Sequence, residues 1–151
     1  MDNPLQPAEP LADGDSASRT AITGHARVVE AVHEHIERQL RHLSGPMRGY
    51  CSRDDFCMGY AMAMTFGLLG RTHQPTAGEL DRVACATVFQ HLYGDEGDAL
   101  LSQAVRKTIA ATERFAAGML AGESDASGWQ RTGAQPRRLA AEFSLLGHVR
   151  V

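Results

Sequence analysis

The run Phe56–Gly70, FCMGYAMAMTFGLLG, carries no charged residue and is apolar on every side of a helical wheel. A helix of this kind must be surrounded by other protein elements or by lipid, because it has no polar face to turn toward water. Its 15 residues span about 22 Å as a helix, which is short of the roughly 30 Å hydrocarbon core of a membrane. The pattern therefore predicts the central helix of a small bundle.

Apolar residues at spacings of three and four predict four further helices. We expect an all-α bundle of four to five helices that forms one domain over residues 20–151, because no segment alternates with the period of two that is typical of half-buried strands. Residues 122–135 are expected to be a loop, with Gly122 as a helix C-cap and Trp129 docked onto the bundle. The predicted helices cover Thr23–Leu43, Thr76–Gly94, Asp98–Ala121 and Pro136–Gly147, and the central helix is expected to begin near Ser52.

Small residues repeat every four positions along the predicted central helix, at Gly59, Ala63 and Gly67. Glycine inside a helix costs roughly 1 kcal/mol relative to alanine, so close packing must compensate for two of them. We expect another backbone to come close at Gly67. An alternative is that this strip is the contact between two copies of the chain, which would make the protein a homodimeric regulatory or structural subunit.

The net charge of −3 is concentrated at the N-terminus. Residues 1–19 contain four carboxylates and one arginine, and they have too few apolar residues to form a core, so we expect a disordered tail. The remaining chain is neutral overall, which argues against a surface that neutralises phosphates and hence against nucleic acid as a partner. No segment is expected to enter a membrane.

The sequence contains three cysteines, Cys51, Cys57 and Cys85, and their number and spacing bear on the cellular compartment of the protein. An odd number with no CxxC pair favours free, buried thiols in a reducing cytosol, with a Cys51–Cys57 disulfide as the alternative. The N-terminus lacks the basic and apolar regions of a signal peptide. Both observations predict a cytoplasmic protein, and the Arg-, Ala- and Gly-rich composition suggests a bacterial source.

No catalytic motif is evident. Glu30 and His33 form one ExxH, whereas di-iron bundles need two such motifs and two further inward carboxylates. Zinc HExxH, nucleophile-elbow and phosphate-loop motifs do not occur. We therefore expect no enzymatic activity, no metal and no cofactor. The alternative is a metal-dependent helical enzyme that uses Glu30, His33 and Glu37.

Several groups of residues within 88–129 form a pattern in predicted helices and at their ends. They are Val88-Phe89, Leu92-Tyr93-Gly94, Met119-Leu120-Ala121-Gly122, Asp125 and Trp129. With these residues, the stretch resembles the helical immunity proteins of bacterial toxin systems. The resemblance implies a small cytoplasmic protein that binds and neutralises a cognate toxin without performing chemistry.

A partner of this kind would be met through exposed side chains. Glu30, Glu34 and Glu37 recur at helical spacing on the predicted solvent face of the first helix, where they can cover a basic patch on a toxin. Trp129 is a large aromatic residue that can anchor such a contact. The alternative is that the glutamates are only solvated and that Trp129 only closes the bundle.

Overall fold

The computed structural model describes residues 24–72, 78–110 and 112–144. Within these ranges all regular structure is helical, which confirms the predicted all-α fold. The predicted tail, 1–19, lies outside the described residues, as do Thr76 and Gly147. Residues 24–40 belong to helix α1, and the elements that follow are α2 (Gly45–Ser52), α3 (Asp55–Thr72), α4 (Gly78–Tyr93), a 3₁₀ turn (Gly94–Glu96), α5 (Gly97–Ile109), α6 (Glu113–Thr132) and α7 (Arg138–Glu142).

Helix α3 is the centre of the bundle, as the charge-free run predicts. Its residues 56–65 are buried without interruption, and Phe66 is the first of the run to be exposed. The buried apolar side chains of α1 to α7 join those of α3 in one core cluster. None of the helices in the described part of the chain is both long and apolar enough to cross a membrane.

Glycines allow α3 and α6 to pack backbone against backbone. A Cβ added to Gly118 would lie 2.1 Å from the Phe56 carbonyl oxygen, and one added to Gly122 would lie 2.4 Å from that of Tyr60. Because residue numbers rise together in these pairs, the two helices run parallel. On the other side of the seam, a Cβ on Gly59 would lie 2.4 Å from the Phe115 carbonyl oxygen.

This seam tests the predictions made for the small-residue strip. A close helix does cover the strip, and backbone approaches backbone at Gly59. A Cβ added to Gly67 would lie 2.9 Å from the Ala126 Cβ, so α6 also comes close at Gly67, as predicted, although a side-chain atom rather than backbone faces it there. Because α6 of the same chain covers the small-residue strip, the strip is not available as the contact surface between two copies that the homodimer alternative requires.

The chain between α1 and α3 contains a helix that the sequence pattern did not predict. Ser44 directly follows the predicted first helix, and its Oγ accepts a hydrogen bond from Met47 N at 3.3 Å and so caps the start of α2. Helix α3 then begins at Asp55 rather than near Ser52, with the Asp54 carboxylate accepting from Phe56 N at 2.8 Å.

The predicted fourth helix is two helices. Helix α5 ends at Ile109 and α6 begins at Glu113, and the Thr112 side chain caps the new helix by accepting from Phe115 N. Polar contacts hold this break against the start of α3, because Lys107 Nζ and Thr112 Oγ1 donate to Asp55 at 2.5 and 2.9 Å. The break lets α6 turn onto α3.

The loop predicted over residues 122–135 is helical as far as Thr132, so Gly122 is not a C-cap. Gly122 is buried inside α6, where the close contact with α3 needs a residue without a side chain. The helix ends instead at Gly133, whose φ of 74° is the left-handed conformation that glycine adopts most readily.

Candidate partner-binding surface

The three predicted contact glutamates lie together on one groove between α1 and α4. Glu30, Glu34 and Glu37 are all exposed, and the same groove is lined by His33, by Arg41 just after α1 and, from α4, by His91. Helix α1 places them there because its Val and Ile residues occupy the opposite, buried face. We call this surface the acidic groove.

An ion pair neutralises part of the charge in the acidic groove, since Glu34 pairs with Arg38 at 3.0 Å. Glu37 lies 3.7 Å from His33 Nε2, a contact that is an ion pair only when the His33 ring is protonated. Glu30 forms no ion pair with any residue that the structure describes. These pairs are solvent-exposed and hold little energy, so they can exchange for contacts to a partner.

The alternative metal site would use residues of the same groove. His33 and Glu37 are neighbours, and the His33 and His91 rings meet edge to face with centroids 5.5 Å apart. Across the described ranges, however, no three His, Cys, Asp or Glu side chains are grouped in an arrangement able to hold a metal ion.

Trp129, the fourth predicted contact residue, does not join the glutamates. It is half-buried against the core and packs edge to face on His35 with ring centroids 4.6 Å apart. His35 lies on the buried face of α1, whereas the glutamates lie on the exposed face. Trp129 therefore docks onto the bundle, as expected, and the acidic groove is formed without it.

Behind Trp129, a buried polar network joins four helices. The Tyr60 hydroxyl donates to Asp125 Oδ2 at 2.6 Å and accepts from Gln39 Nε2 at 2.9 Å. Asp125 Oδ2 also accepts the backbone N–H groups of Arg137 and Arg138, and Gln39 Oε1 accepts that of Ala140 at 3.0 Å. The network thus fixes the start of α7 against α1, α3 and α6.

Burial sets the protonation of the groups around this network. Burial, followed by the hydrogen bond to Asp125, raises the pKa of Tyr60 well above its ordinary value, so its hydroxyl remains a donor. Burial and the nearby Arg38 lower the pKa of His35, and both ring nitrogens are buried without a hydrogen-bond partner among the described residues. His35 is therefore neutral and acts as a packing residue against Trp129.

Sequence reasoning missed the buried polar residues of α1, although a signal was present. Val28, Val32, His35 and Gln39 follow one another at spacings of four, three and four, which places His35 and Gln39 on the buried stripe. Asp125 was hidden for another reason, since it falls in a stretch that resembled a loop.

The three cysteines are free and buried, as predicted, and the alternative disulfide is not formed. Burial raises the pKa of Cys57 to about 12, and the nearby Asp54 adds to this effect. Burial also raises the pKa of Cys51. A thiol must ionise to act as a nucleophile, so neither residue is suited to covalent chemistry at neutral pH.

Comparison of the chain with protein-family models, with curated proteins and with solved structures finds no match. Function must therefore be inferred from the surfaces that the fold presents.

Proposed function

We propose that this chain is a non-enzymatic bacterial protein-binding protein, and specifically a cytoplasmic immunity protein that neutralises a cognate toxin. The observation that supports the proposal is the acidic groove, where Glu30, Glu34 and Glu37 are exposed side by side on one helix. The resemblance of residues 88–129 to helical immunity proteins points to the same class of protein.

The groove has the properties expected of a surface that steers a basic partner. Three carboxylates on one rigid helix face attract a lysine- or arginine-rich patch, which speeds association and selects against acidic partners. Glu30 is already free of ion pairs within the described part of the chain, so it can pair with the partner without losing an internal contact.

The test begins with the genes next to the one that encodes this chain. Each neighbouring gene is expressed together with this chain, and a complex that persists through gel filtration identifies the partner. Charge reversal at Glu30, Glu34 and Glu37 to lysine should then slow association and weaken the complex, with the largest difference at low salt, because steering is screened by ions.

A matched control carries the same change of charge elsewhere. Asp95, Glu113 and Glu123 are exposed and form no ion pair within the described residues, so their reversal to lysine alters net charge equally. The proposal expects this control to bind more tightly than the groove variant, with both variants folded by circular dichroism. Equal affinity of the two variants would place the interface elsewhere, and turnover of a substrate by the purified chain would contradict the non-enzymatic assignment.

A further inference from the structure

A second groove, which is cationic, adjoins the acidic groove at the C-terminal end of α1, and Arg41 lines both grooves. The C-terminal end of α1 and residues 135–140 border this open groove of about 770 Å³, which is lined by Arg38, Arg41, His42 and Arg137. Among the described residues that line it, none carries a carboxylate. We call this surface the arginine groove.

Two of its arginines are available to a ligand. Arg41 and Arg137 form no ion pair with the residues that the structure describes, and both are exposed. Arg38 is partly engaged, since it pairs with Glu34 and donates to Gln135 Oε1 at 2.6 Å. Guanidinium groups bind carboxylates through paired hydrogen bonds, so the groove is suited to an acidic ligand.

The base of the groove is apolar and held in place. Pro136 is buried and Ala140 is half-buried between the arginines. The buried network fixes this segment, because Asp125 and Gln39 accept the backbone N–H groups of residues 137, 138 and 140. A preformed strip of apolar surface with a cationic rim fits an extended chain that alternates apolar and acidic residues.

We propose that the arginine groove binds the acidic N-terminal segment of the same chain, residues 1–19. That segment has a net charge of −3, while the rest of the chain is neutral overall. It also supplies small apolar side chains for the base of the groove. Its carboxylates are Asp2, Glu9, Asp13 and Asp15, and its apolar residues include Leu5, Pro7, Pro10 and Leu11.

The segment is long enough to reach the groove. From residue 24 to Arg38, α1 covers about 21 Å along its axis. The nine residues that join Asp15 to the first described residue extend to about 30 Å. The carboxylates of the segment therefore reach the arginines without any change in the described helices, and the tether keeps their effective concentration high.

Paramagnetic broadening of amide signals in the full-length chain tests this contact. Ala8→Cys carries a nitroxide spin label, which it accepts selectively because the three native cysteines are buried. The label should broaden the amide signals of residues 38–42, 135 and 137–140. In 1 M NaCl, where the screening length falls to about 3 Å, the signals should recover.

Paired variants identify the groups responsible. Arg41→Gln with Arg137→Gln should restore the broadened signals, whereas Arg82→Gln with Arg106→Gln, at two exposed arginines outside the groove, should not. Signals that keep full intensity, or broadening that both variants leave unchanged, would overturn the proposal. Broadening seen only when label and isotope are on different chains would also overturn it, since a second copy would then occupy the groove. The experiment measures a contact within one chain and needs no partner, so its result is separate from that of the proposed function, even though Arg41 lines both grooves.

Discussion

The seam between α3 and α6 gives a strong test of the fold, through Gly118→Ala. The new Cβ would lie 2.1 Å from the Phe56 carbonyl oxygen, more than 1 Å inside the 3.4 Å at which ordinary contact begins. The neighbour is backbone within a helix and cannot rotate away, so the helices must separate. Overpacking costs about 1–3 kcal/mol and occasionally more, and an approach of 2.1 Å to a fixed backbone atom belongs at the upper end of that range, about 3 kcal/mol. Alanine recovers roughly 1 kcal/mol of helix propensity, which leaves a net loss of about 2 kcal/mol.

Gly70→Ala is the matched control, because it makes the same change in helix α3 at a position with open space. Apart from the neighbouring backbone of its own helix, no heavy atom of the described residues lies within 4 Å of a Cβ added there. It should stabilise the protein by about 0.5–1 kcal/mol through helix propensity alone. Urea unfolding followed by circular dichroism measures the free energy of unfolding of both variants. If its slope with urea concentration is the same as in the parent, only stability has changed.

The sign of the effect decides the matter. Gly118→Ala should lower the free energy of unfolding while Gly70→Ala raises it. If Gly118→Ala is neutral or stabilising, the two helices do not meet backbone to backbone, and the described packing of α6 on α3 is wrong.

Three further substitutions test the buried network and the helix end. Tyr60→Phe removes the hydroxyl between Gln39 and Asp125 and should lower the free energy of unfolding in urea by about 1–3 kcal/mol. The control Tyr50→Phe changes a side chain that is 69% exposed, so its free energy of unfolding should stay within about 0.5 kcal/mol of the parent. Equal effects of the two variants would contradict the network. Because burial lowers the pKa of His35, the unfolded chain binds more protons than the folded one at about pH 6.5 and below, so stability should fall as pH decreases. Urea midpoints of His35→Leu should show a smaller decrease between neutral and mildly acidic pH, and an unchanged decrease would mean that His35 is accessible to protons in the fold. Gly133→Ala places a side chain at a φ of 74° and should cost about 1–2 kcal/mol in thermal or urea unfolding, whereas an unaffected variant would indicate a different helix end.

The central helix could be predicted from the charge-free run, because a helix with no polar face must be buried by other elements. The division between α5 and α6 could not, since apolar residues continue at helical spacing from Leu101 to Met119 and Thr112 resembles one more helical residue. The predicted end of α6 was too early, because residues 122–128 contain the glycines and serines of a typical loop. These residues are helical because they pack against α3, and the local sequence does not show that α3 lies beside them.

The candidate surfaces divide in the same way. The acidic groove follows from spacing along one helix, so the sequence was sufficient to place Glu30, Glu34 and Glu37 together. The network of Gln39, Tyr60 and Asp125 joins residues far apart in sequence, and only the fold brings them together. Arg41 and Arg137 form one groove for the same reason, and no pattern in either segment indicates it.

Carbodiimide coupling in the complex tests the proposed interface most directly, because it joins a carboxylate to an amine only where the two are in contact. This chain contains a single lysine, Lys107, so nearly all products that link the two proteins must join its carboxylates to lysines of the partner. The proposed function predicts that mass spectrometry of the coupled complex finds the links at Glu30, Glu34 and Glu37. Links found instead at Glu113 or Glu123, with none in the acidic groove, would contradict it.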